Sequence, residues 1–204
     1  MNNKHLKEEQ LTLELLDAIE KDSDISQRHL AKKMGIALGL ANSYLKRCIK
    51  KGLIKIHDAP ANRYLYYLTP HGFAEKSRLT ASYLSYSFSF YREAGDSCRN
   101  AYKQCKENGW NKIVLCGESE LAEIAILRSY ETEIDIVGLY DPNAKNNHFI
   151  NNNIFHDFTI LPEHDGYLLT EMNATKISYE FLITKVEPEK IIIPSILRLD
   201  ISSI

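Results

Sequence analysis

The stretch "ISQRHLAKKMGIALGLANSYLKRCIKKGLIKI", residues 25–56, decides the fold of the amino-terminal part of the chain. Ser26 is a favoured N-cap for a short helix over "QRHLAKKM", and Gly35 ends that helix. A second helix is predicted over "LGLANSYLKRCIKK", and Gly52 ends it. The run that follows, "LIKIHD", predicts a strand. The stretch therefore predicts two short helices joined by a tight glycine-containing turn and followed by a strand.

The flanking sequence extends this pattern in both directions. Before it, "EQLTLELLDAIEK" over residues 9–21 predicts a helix with one buried face, formed by Leu11, Leu15, Leu16 and Ile19. After it, the turn "APAN" and the run "RYLYYL" predict the second strand of a hairpin. Three short helices followed by a β-hairpin make a winged helix-turn-helix.

The third helix of this arrangement has a polar outward face. Spacings of four and three place Ala41, Leu45 and Cys48 inward. The residues turned outward are Asn42, Ser43, Lys46, Arg47 and Lys50. In a major groove, Asn pairs with adenine, Arg with guanine and Lys with phosphate. A solvated basic helix is the alternative, but the preceding turn and the following hairpin favour binding to double-stranded DNA.

Residues outside this helix are also expected to contact DNA. Gln27 and Arg28 begin the second helix, where phosphate contacts are common. His57, Asn62 and Arg63 lie near the tip of the hairpin, from which a cation reaches the minor groove or a phosphate. Arg63 is equally well explained as a strand-end residue without a partner.

The charge distribution agrees with a polyanionic partner for the amino-terminal half alone. Residues 1–95 carry 15 basic and 10 acidic residues, whereas residues 96–204 carry 10 basic and 17 acidic residues. Within residues 26–63 there are nine basic residues and one acidic residue.

The segments "ISQRHLAKKMGI", "KKGLI" and "YYLTPHGFAEKSRLT" resemble the MarR-type winged-helix regulators, especially those associated with exopolysaccharide gene clusters. The resemblance covers about residues 9–95. It implies a dimeric transcription regulator that recognises a two-fold-related operator.

Residues 70–107 predict a long helix, with Gly95 as a hinge or break. Tyr83, Tyr86 and Phe90 recur at spacings of three and four, which favours a buried helical seam. We expect a dimerisation helix, and an intramolecular core helix is the alternative. The predicted domains are a winged helix over 1–69, a connecting helix over 70–110 and an α/β domain over 111–204.

The carboxyl-terminal half begins with a strand, a glycine turn, a helix and a second strand. The turn follows "KIVLCG", and the second strand, "IDIVGLYD", ends in Asp141, 24 residues after Gly117. This separation matches a Rossmann glycine turn and its ribose-binding acid. Later runs, "GYLLT" and "KIIIPS", predict two more strands, with a helix between them over "ATKISYEFLITK". The chain is therefore predicted to be α/β overall, with a small parallel-sheet Rossmann-like domain of four or five strands.

A nucleotide would be held at Gly117, Ser119 and Asp141. The turn departs from G-x-G-x-x-G, since Ser119 replaces the second glycine, and Glu118 and Glu120 would repel a phosphate. Through "VGLYDPN" and "IIIPS" this half resembles the Rossmann-type domains of redox-sensing repressors and of sugar O- and N-acyltransferases. The resemblance implies a nucleotide or nucleotide-sugar effector. The alternative is a degenerate domain used for packing or dimerisation.

Other chemistry finds no support in the sequence. The chain has no G-x-S-x-G, P-loop or H-E-x-x-H motif, and His148, His156 and His164 lack metal-ligand spacing. We therefore expect neither an enzyme nor a metal site. With no signal-peptide core and no membrane-length apolar run, we expect a cytoplasmic homodimeric regulator with packed, unreactive cysteines. The alternative is a nucleotide or nucleotide-sugar enzyme whose winged helix makes protein contacts.

Overall fold

The computed structural model describes residues 3–59 and 63–200, and it divides into two compact units, Met1–Phe88 and Ser89–Ile204. The first unit contains helices α1 (Asn3–Lys21), α2 (Gln27–Lys33) and α3 (Leu38–Lys50), then strands β1 (Ile54–Ala59) and β2 (Arg63–Leu68). The strands pair antiparallel, as a hairpin requires. Helix α4 (Pro70–Glu107) contributes residues to both units. The predicted winged helix-turn-helix is confirmed.

The core of the first unit is formed by the faces that the sequence pattern indicated. Leu15, Leu16 and Ile19 of α1 are buried against Leu45 and Cys48 of α3 in one apolar cluster. Gly35 and Gly52 follow α2 and α3 with left-handed backbone, at φ of 61° and 69°. Because most other residues avoid this conformation, glycine at these two positions fixes where the helices end.

Helix α4 begins against the turn that follows α3. The hydroxyl of Thr69 accepts a hydrogen bond from the Gly72 amide at 2.9 Å and donates one to the Gly52 carbonyl at 2.6 Å. A Cβ added at Gly72 would overlap the carbonyl oxygen of Leu53. Because Gly72 has no side chain, α4 can begin in direct contact with the backbone of Leu53, the residue before β1.

An ion network links α1 to α4. The Lys76 ammonium contacts Glu20 and lies 2.9 Å from Asp17 Oδ1, and Lys21 lies 2.6 Å from Asp17 Oδ2. Hydrogen bonds from Lys21 and Lys76 hold the pKa of Asp17 below its usual value. The lowered pKa means that the ionised Asp17 stabilises the folded state above pH about 4, and this contribution is lost as the pH falls through the folded pKa.

Lys76→Met is expected to destabilise the first unit by about 1 kcal/mol at pH 7, because it removes the less exposed of the two lysines from the network. Denaturant unfolding at several pH values measures this difference, which should shrink as the pH falls through the lowered pKa of Asp17 and its carboxylate is protonated. Lys21→Met, which removes the more exposed lysine, is the control and should cost less. A difference that stays constant from pH 7 to pH 2 would contradict the role of Asp17.

The second unit is built on a six-stranded sheet in the order β5-β6-β4-β3-β7-β8. Its strands are β3 (Lys112–Cys116), β4 (Asp135–Tyr140), β5 (His148–Phe149), β6 (Asn152–Phe155), β7 (Gly166–Leu169) and β8 (Ile191–Ile192). All neighbours pair parallel except β5 and β6, which pair antiparallel. The predicted small α/β sheet is confirmed. The sheet has six strands instead of the four or five predicted, and one edge pair is antiparallel. The short strands β5 and β6 were not predicted because neither contains an apolar run.

Helices cover both faces of this sheet. On one face, the carboxyl-terminal part of α4 and helix α5 (Glu120–Ser129) bury Ile113 and Leu115. On the other face, helix α6 (Thr175–Leu182) packs over Val114 and Cys116. Burial on both faces explains the continuous apolar run of β3. The carboxyl ends of the parallel strands meet at one edge, where the residues that follow β3, β4 and β7 come together.

Candidate functional site

Helix α3 presents a polar stripe away from the core. Ala41, Tyr44, Leu45 and Cys48 are buried, whereas Ser43, Lys46, Arg47 and Lys50 are exposed. The residues at the centre of the outward stripe follow spacings of four, three and four: Gly39, Ser43, Lys46 and Lys50. Two lysine side chains and one serine hydroxyl are therefore exposed along one line of the helix, where a partner could bind them.

The cations of this stripe differ in how they are held. The guanidinium of Arg47 lies 5.0 Å from the centre of the Tyr44 ring and 3.8 Å from Glu8 Oε2. Both partners of this ion pair are nearly half exposed, so the pair contributes little and can exchange for a phosphate. Among the residues that the structure describes, none forms an ion pair with Lys46 or Lys50. These two ammonium groups are the least committed positive charges on α3.

Asn42 is placed less outward than the sequence pattern predicts. Its side chain is half-buried, and its amide oxygen is buried without a hydrogen-bond partner among the described residues. An unpaired buried oxygen costs about 1–3 kcal/mol. Contact with a base edge therefore requires the Asn42 side chain to turn away from the helix surface, which would also relieve this cost.

The two residues predicted to contact phosphate at the start of α2 have different environments. Gln27 donates a hydrogen bond from its amide to the hydroxyl of Tyr66 at 3.2 Å, which joins α2 to the hairpin. Arg28 is exposed. Ser26 caps the helix, as predicted, by accepting a hydrogen bond from the His29 amide at 3.1 Å. Arg28 is therefore the better placed of the pair for a phosphate.

The hairpin carries one described candidate for DNA contact. His57 is exposed on β1 and packs edge-on against Tyr67, with 5.5 Å between the ring centres. The predicted contact of Asn62 lies outside the described residues. Arg63 pairs with Ala59 through its backbone, and its side chain also lies outside what the structure describes.

Three residues at the start of α3 were missed by the sequence analysis. Leu38 and Leu40 are 43% and 45% exposed, and Gly39 lies between them. No charged residue precedes Lys46 in this helix. The signal for this patch is present in the sequence, since apolar residues at 38 and 40 flank the outward stripe rather than the inward face.

The turn after β3 is closed by the protein itself. Gly117 has a φ of 108°, and a Cβ added there would lie 2.6 Å from backbone atoms of Glu171. The Ser119 hydroxyl donates to the Thr170 carbonyl at 2.6 Å and accepts from the amides of Leu121 and Ala122. The amides that would bind a phosphate at the start of α5 are therefore already capped by a side chain.

Asp141 is buried and organises the same edge of the sheet. Its two carboxylate oxygens accept hydrogen bonds from the amides of Glu118 at 2.9 Å and Asn143 at 2.8 Å. Each oxygen retains one acceptor site, since a carboxylate oxygen accepts two hydrogen bonds. Asp141 thus holds the two loops together and can still accept a hydrogen bond from a hydroxyl group of a ligand.

A pocket of about 210 Å³ opens beside these loops. Its lining brings together Gly117 and Asp141, two of the three residues predicted to hold a nucleotide, with apolar residues that include Tyr140, Pro142, Ile177 and Phe181. Ser119 is not part of this lining. Of the described residues that line the pocket, two are acidic and none is basic. The surroundings therefore favour an uncharged or cationic ligand over a phosphate.

The four cysteines are free and buried, which bears on the resemblance to redox-sensing repressors. Burial raises the pKa of Cys48 to about 11 and the pKa of both Cys98 and Cys105 to about 12, and it also raises that of Cys116. Because the thiolate is the reactive form, none of these thiols is prepared for redox chemistry near pH 7.

Native protein at pH 7.5 is therefore expected to react with a thiol-specific alkylating agent at least about 100-fold more slowly than unfolded protein. Mass spectrometry of timed, quenched samples measures the rate for each cysteine. Rapid modification of any one of them in folded protein would contradict its burial.

One known family is similar to the first unit. Residues 8–55 match a family model described as winged helix-turn-helix DNA-binding. The match agrees with the winged-helix fold of the first unit. The match includes α2 and α3, and therefore the polar stripe. Among curated protein sequences, none matches the chain.

Solved structures similar to the chain include human N-acetylserotonin methyltransferase in complex with SAM, at 14% identity and a TM-score of 0.34, covering 93% of this chain and 76% of that chain. A second is PigF with SAH, at 12% identity and a TM-score of 0.25, covering 93% of this chain and 56% of that chain. The expectation that the chain is not an enzyme is contradicted by the methyltransferase among these neighbours, and it is withdrawn. Scores this low assign no reaction to the chain.

Within residues 3–59 and 63–200, no group of three or more His, Cys, Asp or Glu side chains is arranged to hold a metal ion. No helix in the same part of the chain is long and apolar enough to cross a membrane.

Proposed function

We propose that this chain is a sequence-specific, DNA-binding transcription regulator of MarR-like type that acts as a homodimer in the cytoplasm. The observation that carries the proposal is the stripe on α3, where Lys46 and Lys50 extend outward from a winged-helix DNA-binding domain with no ion pair to a described residue. In a helix-turn-helix, the second helix of the motif enters the major groove and its cations contact phosphates.

Dimerisation is supported by an exposed apolar patch on α4. Tyr83, Leu84, Tyr86 and Phe88 are each 45–58% exposed, although the spacing of Tyr83 and Tyr86 predicts a buried seam. A small apolar groove beside this patch, between α1 and α4, is lined by Leu6, Leu13, Leu79, Tyr83 and Tyr86, among others. Contiguous exposed aromatic residues mark interaction surfaces, and a second copy of α4 would cover them. Two copies would in turn place two α3 helices on a two-fold-related operator.

The second unit is proposed to be a Rossmann-like domain that senses a small ligand or contributes to oligomerisation. The strands β3, β4, β6, β7 and β8 follow the order 3-2-1-4-5 when they are numbered within the unit, which supports this reading. In such sheets, ligands bind outside the carboxyl ends of the strands, where the pocket beside Gly117 and Asp141 lies. The proposed functional division remains DNA binding over 1–69, dimerisation over 70–110 and sensing over 111–204.

The position of the pocket at the carboxyl ends of the strands is also compatible with a second candidate function, a nucleotide or nucleotide-sugar enzyme whose winged helix makes protein contacts, but its two acidic residues oppose a phosphate. The two candidates differ in what α3 does. Selection of duplexes from a random DNA pool by the full-length chain separates them, since only the regulator enriches a defined sequence. Failure to enrich any sequence at salt concentrations from about 0.05 to 0.2 M would exclude the regulator, because low salt strengthens phosphate contacts and higher salt suppresses binding that is independent of sequence.

A further inference from the structure

We infer that the first turn of α3 reads the 5-methyl groups of thymines in the major groove, through Leu38 and Leu40 on either side of Gly39. The inference rests on the proposed function, since it requires that α3 enters DNA. It goes further by assigning the discrimination between bases to an uncharged patch rather than to the basic residues that follow it.

The division of charge along α3 supports this assignment. Leu38, Gly39 and Leu40 form the first turn, whereas the cations Lys46, Arg47 and Lys50 lie in the last two turns. The first residues of a recognition helix contact base edges, and cations on the same surface contact phosphates. In the major groove, apolar side chains contact the methyl group that distinguishes thymine.

Gly39 supplies an independent observation. It lies at the centre of the outward stripe, and no described heavy atom comes within 4 Å of a Cβ added there. Its φ is not in the left-handed region, so neither packing nor backbone conformation of the unit requires glycine at this position. A glycine inside a helix is unfavourable relative to alanine. The fold does not need glycine at position 39, which lies on the face of α3 that would meet DNA. Close approach of the α3 backbone to the floor of the major groove explains it.

The neighbouring charges identify the occupant of the patch. Exposed cations on α2 and α3 lie on the same domain as this patch: Arg28, Lys32, Lys33, Lys46, Arg47 and Lys50. A second copy of this basic domain would bring like charges together at the same surface. A polyanion with apolar groups in its groove fits both the two leucines and the surrounding cations.

The test uses the full-length chain and the duplex that it enriches from a random pool. Each thymine in turn is replaced by deoxyuridine, which removes only the methyl group. We expect about fourfold weaker binding at each contacted thymine, the factor that corresponds to one buried methyl group. Leu38→Ala or Leu40→Ala should weaken binding to the thymine duplex and abolish the difference between thymine and uracil at the contacted position.

Two controls separate this mechanism from general damage. Leu127→Ala removes a leucine of similar exposure on α5 and should leave both affinities unchanged. Gly39→Ala should raise the thermal midpoint by about 3 °C, and it should weaken binding at least about tenfold because the new methyl group holds the helix away from the bases.

The inference is overturned if every thymine tolerates uracil, or if both leucine variants keep the difference between the two duplexes. Unchanged binding by Gly39→Ala would overturn the close approach of the helix. In each of these cases the DNA is still bound, so the proposed function stands. Failure to bind any duplex would overturn the function and this inference together.

Discussion

Replacing Lys46 and Lys50 with alanine together should weaken DNA binding by about 60-fold at 0.1 M salt. Each phosphate contact releases counterions, so each contributes a factor of about eight at this salt concentration relative to 1 M. Both lysines are exposed on α3, and neither has to give up an ion pair with a described residue. The slope of log affinity against log salt concentration should fall in magnitude by about two.

The matched control removes two exposed lysines of the second unit. Lys103→Ala with Lys176→Ala changes the net charge of the chain by the same amount, and each lysine lies at least 3.8 Å from its acidic neighbour on the helix. This variant should bind DNA as the parent protein does. Equal loss of affinity in the two double variants would mean that net charge, rather than the α3 stripe, determines binding.

Gly72→Ala should destabilise the first unit by at least about 2 kcal/mol and lower its thermal midpoint by about 10 °C. The added methyl group overlaps the Leu53 carbonyl, whose oxygen also accepts a hydrogen bond from the Thr69 amide at 3.0 Å. Because the Leu53 carbonyl belongs to the backbone and cannot rotate away as a side chain would, the start of α4 must move. Thermal unfolding followed by circular dichroism measures the change.

Gly39→Ala is the control for this substitution, since it adds the same methyl group at a helix position where no described heavy atom lies within 4 Å. It should raise the thermal midpoint by about 3 °C. A midpoint for Gly72→Ala equal to that of the parent protein would contradict the close packing of α4 against Leu53.

The sequence is sufficient for the fold of the first unit because its helices are amphipathic and its breaks are marked by glycine. The inward positions Ala41, Leu45 and Cys48 follow directly from helical spacing. The role of Gln27 does not, because its hydrogen bond to Tyr66 joins residues 39 positions apart in the chain. Such a contact depends on how α2 and the hairpin pack, which a local pattern does not contain.

In the second unit, the sequence again predicts local features but not long-range contacts, at the edge where the carboxyl ends of the strands meet. The strand, the glycine turn and the acid after β4 are readable from spacing, and the structure brings Gly117 and Asp141 to one pocket. That the Ser119 hydroxyl also donates a hydrogen bond to the Thr170 carbonyl depends on the position of β7, 51 residues later. Strands β5 and β6 could not be predicted, since two to four residues are too few to show a period.

Aromatic residues on α4 show a further limit of pattern reading. Tyr83 and Tyr86 have the spacing of a buried seam but are half exposed, whereas Ala94, Cys98 and Ala101 farther along the same helix are buried in the second unit. The spacing of apolar residues identifies a helix surface that must be buried. It does not show whether residues of the same chain or of a second copy bury it.

Binding of DNA phosphates by the α3 stripe is tested most directly by a salt titration of the full-length chain on its selected duplex. We predict that affinity falls steeply and linearly on logarithmic axes between 0.05 and 0.2 M salt, and that the slope becomes shallower by about two in the variant lacking Lys46 and Lys50. An affinity that does not change with salt, or a slope that is the same in parent and variant, would contradict the account.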